Sequence, residues 1–353
     1  MKKALITGIT GQDGSYLAEF LLSKGYEVHG IIRYAATNNL GRIQHLIDED
    51  EPKNSKIHLH FGDLTDSSSL VKIINEVKPD ELYNLGAQSH VGVSFKIPEY
   101  TVNTDGLGTL RLLEAIRTLG LEKKVRFYQA STSELYGDTR TVPQNELTPF
   151  SPTSPYSCAK LFSYWIVKIY RQAYGMFCSN GILFNHESPR RGEKFVTKKI
   201  TKAAARIKMG LQDKLYIGNL DSSRDWGYAK DYVEGMWQIL QLDEPGEYVL
   251  SMGENTVLRD FCKKTFDQLG YDLEFVGQGM EEKGIDKITG KTLIEVNPQF
   301  FRPKDVTMLH GDSTKAKNTF GWTPKHSIDD LIKIMLEQDL KDAKRELASK
   351  DIE

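Results

Sequence analysis

The sequence predicts an α/β chain built on a doubly wound parallel sheet, with a smaller, mostly helical domain toward its C-terminus. Three observations predict it. Up to Phe184, short apolar runs alternate with amphipathic segments at helical spacing. A glycine-rich turn follows the first apolar run directly. Beyond Phe184 the alternation gives way to polar, turn-rich sequence such as "NHESPRRGEKF". Strands alternating with helices imply βαβ units, and βαβ units imply a parallel sheet covered on both faces.

Taken in order, "KALITG" is an apolar strand ending in glycine, and "SYLAEFLLSKG" is an amphipathic helix with a glycine stop. "EVHGIIR" and "KIHLHFGDL" are the next strands, then "SSSLVKIINEVK" a helix and "ELYNLGA" a strand. "TDGLGTLRLLEAIRTLG" reads as one helix, "VRFYQAS" as a strand, Ser157 to Tyr174 as a long helix and "SNGILFN" as a strand. The second half mixes helices such as "FVTKKITKAAARIKMG" with short strands such as "LYIGN" and "EYVLSMG". The expected domains are residues 1–186, with segments near 224–255 returning to them, and an interleaved 187–345. Residues 346–353 are expected to be a flexible tail.

Composition narrows the function classes. The 353 residues are 39% hydrophobic and 27% charged, with a formal net charge of -2. No global basic field attracts nucleic acid or an acidic membrane. The apolar run at the N-terminus is too short for a signal peptide, and no later run approaches membrane-span length. Three cysteines, Cys158, Cys178 and Cys262, are odd in number and widely spaced, which fits free thiols in a reducing compartment. The cytoplasm is the expected location. The histidines show no metal-ligand spacing, and no metal is expected; His58 and His60 share one side of a strand and read as structural.

"TGITGQDG" places Gly8, Gly11 and Gly14 after the first strand and at a helix start, with Thr10, Gln12 and Asp13 between them. Glycines there allow a tight turn and close backbone approach, and a helix N-terminus meets a pyrophosphate with free N–H groups. The sheet is therefore expected to be of Rossmann type and to hold a dinucleotide. The second strand ends "GIIRYAATNN", with Arg33 and no nearby acid. A cation there suits a 2′-phosphate and favours NADP over NAD. Asp63, followed by Leu64, is placed to accept from an adenine amino group. "NLGAQSH", with Leu85, Ala87 and Ser89, would let backbone approach the cofactor.

"SPYSCAK" sets Tyr156 and Lys160 four apart, stacked on one helical face. A lysine beside a phenol stabilises the phenolate and makes tyrosine a competent base near neutrality. Cys158 lies on another side of that helix and reads as a packing thiol. The strand end "STSELYG" crowds hydroxyls around one carboxylate, Glu134.

Together the glycine pattern, "NLGAQSH", "STSE" and the Y-x-x-x-K helix resemble the extended short-chain dehydrogenase/reductase superfamily. "GITGQDGSYLAEFLL", "YNLGAQSHV", "FYQASTSELYG", "GILFNHESPRRGEKFVTKKI", "GNLDSSRDWGYAKDYVEGMW" and "FFRPKDV" are similar to GDP-mannose 4,6-dehydratases from near the first residue to about residue 320. The resemblance implies that a hydride leaves C4 of a GDP-hexose for a retained NADP and returns at C6, with water lost between. It implies Tyr156 as the base at the C4 hydroxyl, aided by Lys160 and Thr132, and Glu134 as the acid/base for C5 deprotonation and loss of the C6 hydroxyl. It places Ser89, Glu134, Asn185, Lys199, Arg224, Arg302 and Asp305 at the GDP-sugar, His186 and Arg191 nearer the NADP, and the chain in a homodimer or homotetramer. Two departures stand out. "RYAATNN" keeps only the first of the family's paired arginines, and "FSPTSPY" has Ser151 and Thr153 where bulkier residues are usual. A GDP-manno-heptose therefore competes with GDP-mannose as substrate, and an epimerase or net reductase competes as activity.

Overall fold

A computed structural model describes residues 1–36, 39–48, 55–300 and 309–350, and the chain divides into two units. The first unit takes Met1–Phe184, Ala229–Leu250 and Gly311–Thr323. In chain order it contains β1 (Lys3–Thr7), α1 (Gln12–Ser23), β2 (Glu27–Ile32), β3 (Ile57–Phe61), α2 (Ser67–Val77) and β4 (Glu81–Asn84). The short helices α3 (Val91–Ser94) and α4 (Pro98–Thr101) follow, then α5 (Gly108–Thr118), β5 (Arg126–Thr132), α6 (Pro155–Tyr174) and β6 (Cys178–Leu183). The strand Glu247–Leu250 adds beside β6, so the sheet runs Glu247–Leu250, β6, β5, β4, β1, β2, β3. Every neighbouring pair is parallel.

Both faces of this sheet are buried, which is why its strands are nearly continuous apolar runs. Successive side chains point to opposite faces. Leu5, Leu82 and Phe127 join Leu112, Ile116 and Val167 on one side. Ile6, Tyr83 and Tyr128 join Leu17, Val233 and Met236 on the other. Each such side chain is worth about 1.5–3 kcal/mol of burial.

One polar row crosses the centre of the sheet. Thr7, Asn84 and Gln129 sit at one register on β1, β4 and β5, and none exceeds 2% exposure. The Thr7 hydroxyl donates to Asn84 Oδ1 at 2.7 Å. Asn84 Nδ2 donates to Gln129 Oε1 at 2.8 Å and to Thr109 Oγ1 at 3.1 Å. Thr7 Oγ1 in turn accepts the N–H groups of Leu85 and Gly86 at 3.1 and 2.9 Å.

Three differences from the sequence reading have local causes. The α6 helix begins at Pro155, earlier than expected, because Ser154 and Ser157 form a reciprocal capping box with proline at the first helical position. The expected helix from Thr104 is interrupted: Val102–Leu107 is a π-helical turn, and α5 starts only at Gly108. Glycine permits the packing there, since a Cβ at Gly108 would lie 2.9 Å from Leu64 Cβ. The segment 311–323 also belongs to the first unit. Trp322 holds it there, donating from its indole to the Asp231 carbonyl at 2.9 Å.

The second unit draws on Asn185–Tyr228, 251–300, 309–310 and 324–350. Helices Val196–Lys208, Leu258–Asp267 and Ile328–Lys350 share a core with Leu215, Leu273 and Ile294 of a four-stranded sheet. The last helix includes residues 346–350, the described part of the segment expected to form a flexible tail. Glu346 pairs with Arg206 and, at 3.6 Å, with Lys350. Its buried Asp339 accepts from Lys198 at 2.5 Å. Residues 351–353 lie outside the described chain.

The polar row generates the first prediction. Asn84→Ala removes the acceptor of the buried Thr7 hydroxyl and one buried partner each from Thr109 and Gln129, so unfolding in urea should show a loss of about 3 kcal/mol. An unchanged midpoint would show that the row carries no stability.

Candidate active site

The order in which the chain adds strands reverses between β1 and β4, and ligands of such sheets bind beyond the carboxyl ends of the strands at that point. Gly8, Thr10, Gly11 and Gln12 lie there, leading into α1. The Gly11 N–H closes a tight turn on the Gly8 carbonyl at 2.9 Å. Gly8 has φ +70°, and a Cβ on it would lie 2.8 Å from the Gly86 amide nitrogen. A Cβ on Gly14 would lie 2.3 Å from the Gly8 carbonyl oxygen. Gly11 caps α1 with no side-chain hydrogen bond, and Asp13 lies in its first turn. Turn and helix end together form a cradle of backbone that fits a dinucleotide pyrophosphate.

The other first-unit residues singled out by sequence lie along the same edge. Arg33 directly follows β2 and donates to the Tyr100 hydroxyl at 2.6 Å. Asp63 follows β3, with one oxygen taken by the N–H and hydroxyl of Thr65, both at 2.8 Å. Leu64 is buried. Leu85, Ala87 and Ser89 follow β4, and Ser89 is exposed.

Thr132 ends β5, and Ser133–Leu135 is a single 3-10 turn. Thr132 Oγ1 accepts the Glu134 N–H at 3.2 Å, which fixes the turn. Leu135 and Tyr136 are fully buried behind it, while Glu134 is half-buried. The turn is stitched to the segment leading into α6. Ser151 N–H donates to the Leu135 carbonyl at 3.0 Å, and Asp138 N–H to the Ser151 carbonyl at 3.1 Å. Gly137 has φ +47°, and a Cβ there would lie 1.8 Å from the Ser151 carbonyl oxygen.

Tyr156 stands in the first turn of α6, and Lys160 lies one turn on, its ammonium 5.9 Å from the Tyr156 ring centre. Lys160 is 3% exposed and donates to the Ala130 carbonyl of β5 at 3.0 Å. Burial pushes its pKa down, and the Asp105 carboxylate opposes that shift. Burial pushes Asp105 up to about 6 against the charge of Lys160. Sequence reading missed Asp105. The only trace of it is an acid just ahead of two glycines, "TDGLG", inside an apparently ordinary helix. This edge thus brings together a cofactor cradle, a phenol–ammonium pair and a carboxylate on a fixed turn, the parts needed for proton transfer beside a bound dinucleotide. Cys158 is exposed on α6, so it is not the packing thiol expected from the sequence.

The remaining sequence candidates belong to the second unit. Asn185 and His186 lie on Asn185–Glu187, parallel to Trp226–Tyr228. Arg191 pairs with buried Glu187 at 3.0 Å and lies 3.7 Å from the Phe195 ring centre. The Lys199 ammonium lies 3.4 Å from the Phe300 ring centre, and burial pushes its pKa down. Arg224 donates to the Ser223 carbonyl at 2.7 Å. Arg302 and Asp305 fall outside the described residues.

A family model described as GDP-mannose 4,6 dehydratase matches residues 5–335. A GDP-mannose 4,6-dehydratase of Sinorhizobium fredii (strain HH103) is 56% identical over 339 residues, 96% of this chain and 97% of that one. The Homo sapiens GDP-mannose 4,6 dehydratase is 55% identical over 339 residues, 96% of this chain and 91% of its own. Among solved structures, a Thermus thermophilus UDP-glucose 4-epimerase in complex with NAD is similar with a TM-score of 0.76 at 26% identity, covering 96% of this chain and 98% of its own. A dTDP-glucose 4,6-dehydratase of Bacillus anthracis in complex with NAD reaches 0.79 at 20% identity, over 98% of each chain. At that identity the likeness concerns the fold.

The stitched turn yields a second prediction. Gly137→Ala combines a left-handed backbone with a backbone clash, so urea unfolding should show a loss of about 3 kcal/mol or more. A variant as stable as the parent would contradict this account of the turn.

Proposed function

This chain belongs to the GDP-mannose 4,6-dehydratase family, and on that premise we propose that it converts GDP-mannose to GDP-4-keto-6-deoxymannose with a retained NADP. The observation that carries the reading is the fixed turn that sets Glu134 beside Thr132, joined by backbone hydrogen bonds to the segment that starts the Tyr156–Lys160 helix. An epimerase or a net reductase needs no carboxylate in that position; elimination of water does.

The turn Gly8–Gly14 and the α1 N-terminus would hold the pyrophosphate, with Asp63 and Leu64 at the adenine and Leu85, Ala87 and Ser89 beneath the chain of the cofactor. Arg33, with no acid among residues 33–36, supports NADP over NAD. A nicotinamide dinucleotide, when bound, supplies the hydride acceptor at C4 and the donor at C6, and so is not consumed. Tyr156 removes the proton of the C4 hydroxyl, and the Lys160 charge stabilises the phenolate that does so. Thr132 orients that hydroxyl by hydrogen bonding. The C4 ketone acidifies C5–H, and Glu134 takes the C5 proton and delivers it to the departing C6 hydroxyl, which leaves as water; the hydride returned at C6 is balanced by a solvent-derived proton taken up at C5.

Asn185, Lys199 and Arg224, with Arg302 and Asp305, would hold the GDP-sugar, and His186 and Arg191 would lie nearer the cofactor. Lys199 supports this: its ammonium is half-buried over an aromatic ring, a setting in which a diphosphate restores what desolvation removes. GDP-manno-heptose is the second reading. Ser151 and Thr153 favour it, both small and exposed just before Tyr156.

A homodimer is proposed on the outer face of α6, where Phe162, Trp165 and Ile169 are 41%, 48% and 49% exposed at helical spacing. Phe95 and Ile97 add to the exposed apolar surface of this unit. Free cysteines, two of them buried, suit the cytoplasm. No helix among the described residues is long and apolar enough to cross a membrane.

Two measurements test this reading. Purified protein should release NADP on denaturation and convert GDP-mannose, without added reductant, to a 4-keto-6-deoxy product identified by mass and NMR. No conversion of either GDP-mannose or GDP-manno-heptose by the loaded protein would sink the substrate assignment. Sedimentation should show a dimer or a tetramer for the parent and a smaller species for Trp165→Glu; an unchanged mass would remove α6 from the interface.

A further inference from the structure

The mechanism above leaves one buried carboxylate unused. Asp105 is 2% exposed and lies on the π-helical turn Val102–Leu107. Such turns insert a residue into a helix and re-aim the side chains around it. This one is pinned against the active face of α6. The Ser163 hydroxyl donates to the Asp105 carbonyl at 2.5 Å, and a Cβ on Gly106 would lie 3.5 Å from Phe162 and 3.6 Å from the Ala159 carbonyl oxygen. Tyr156, Ala159, Lys160 and Ser163 are spaced three and four apart, so the turn covers the face that carries the phenol–ammonium pair.

We propose that Asp105 is the counter-ion of Lys160, a positioning residue that keeps the ammonium charged beside Tyr156; this deepens the dehydratase reading and rests on it. One Asp105 oxygen accepts the Gln88 N–H at 2.7 Å. The other, Oδ2, is buried with no hydrogen-bond partner among the described residues. Lys160 itself has a backbone carbonyl from β5 as its hydrogen-bond acceptor, which does not neutralise its charge. A buried ammonium and a buried carboxylate on adjoining elements stabilise each other's ionised forms, and each also feels the other's charge here. Of the other charged groups nearby, Arg111 of α5 is committed to the Asn103 and Leu64 carbonyls and to Asn103 Oδ1. His90 accepts the Val93 N–H. Tyr156 and Glu134 are the titratable groups of the reaction itself.

A carboxylate present only to shape the loop after β4 would be replaceable by its amide with no effect on how the reaction titrates. The test is therefore the pH profile of kcat for the parent, Asp105→Asn, Asp105→Ser and Asp105→Glu, each checked for folding by thermal melting. Without the carboxylate the Lys160 ammonium loses its proton at lower pH. The alkaline limb of both neutral variants should move down by about one pH unit. At the midpoint of the parent's limb, about one pH unit above their own, their rates should have fallen about tenfold against their own neutral-pH rates. Asp105→Glu should keep the parent's limb. A folded neutral variant with the parent's limb overturns the proposal. So does failure of both neutral variants to fold, which would make the carboxylate structural. The profile is taken on whichever GDP-sugar of a panel the parent turns over, so that inactivity toward GDP-mannose bears on the substrate reading alone.

Discussion

The hydrogen-bonded row of Thr7, Asn84 and Gln129 fixes the register of the three central strands, and the rest of the edge depends on that register. In a parallel sheet all strand ends point the same way, so a one-residue slip would invert every side chain and displace every following loop. Thr7 does two things at once. It joins the row and also receives the first N–H groups after β4. That brings Gly86 so close to Gly8 that only glycine fits. The cradle is thus a consequence of strand pairing rather than of loop conformation alone.

The groups proposed to be catalytic inherit their precision from the same edge. β5 ends in Thr132, whose hydroxyl sets the Glu134 turn, and its Ala130 carbonyl holds Lys160. Ser151 ties the turn to the chain entering α6. Glu134 and Lys160 therefore refer to one strand, although 26 residues separate them in sequence. Burial supplies the electrostatics. An exposed lysine would do little to a neighbouring phenol, but charges act strongly at a site from which water is largely excluded. In the proposed pairing, the carboxylate on the π-helical turn offsets the cost of burying the ammonium.

Much of this was legible in the sequence because the fold writes itself in local signals. Alternating apolar runs gave the parallel sheet, "TGITGQDG" gave the turn at the end of β1, and Tyr156–Lys160 gave a helical pair by spacing alone. Other features left no local trace. The π-helical turn leads straight into the good helix formers that follow Gly108, so the stretch reads as one helix, and the packing of the turn against α6 leaves no local mark. The polar row is spread over three strands, so no single stretch displays it. The segment 311–323 returns to the first unit through Ala316, Phe320 and Trp322, which from sequence look like any core residues. Glu134 lies between these cases. Its neighbours could be read, but the role proposed for it rests on the turn that holds it and on the family to which the chain belongs.

The central claim is that Glu134 moves the C5 proton. Parent protein and Glu134→Gln, both loaded with cofactor, can be incubated with GDP-mannose in D2O and the sugar analysed by NMR. The account predicts deuterium at C5 of the parent's product and none at C5 of the sugar recovered from the variant. Deuterium at C5 in the variant's sugar would contradict it.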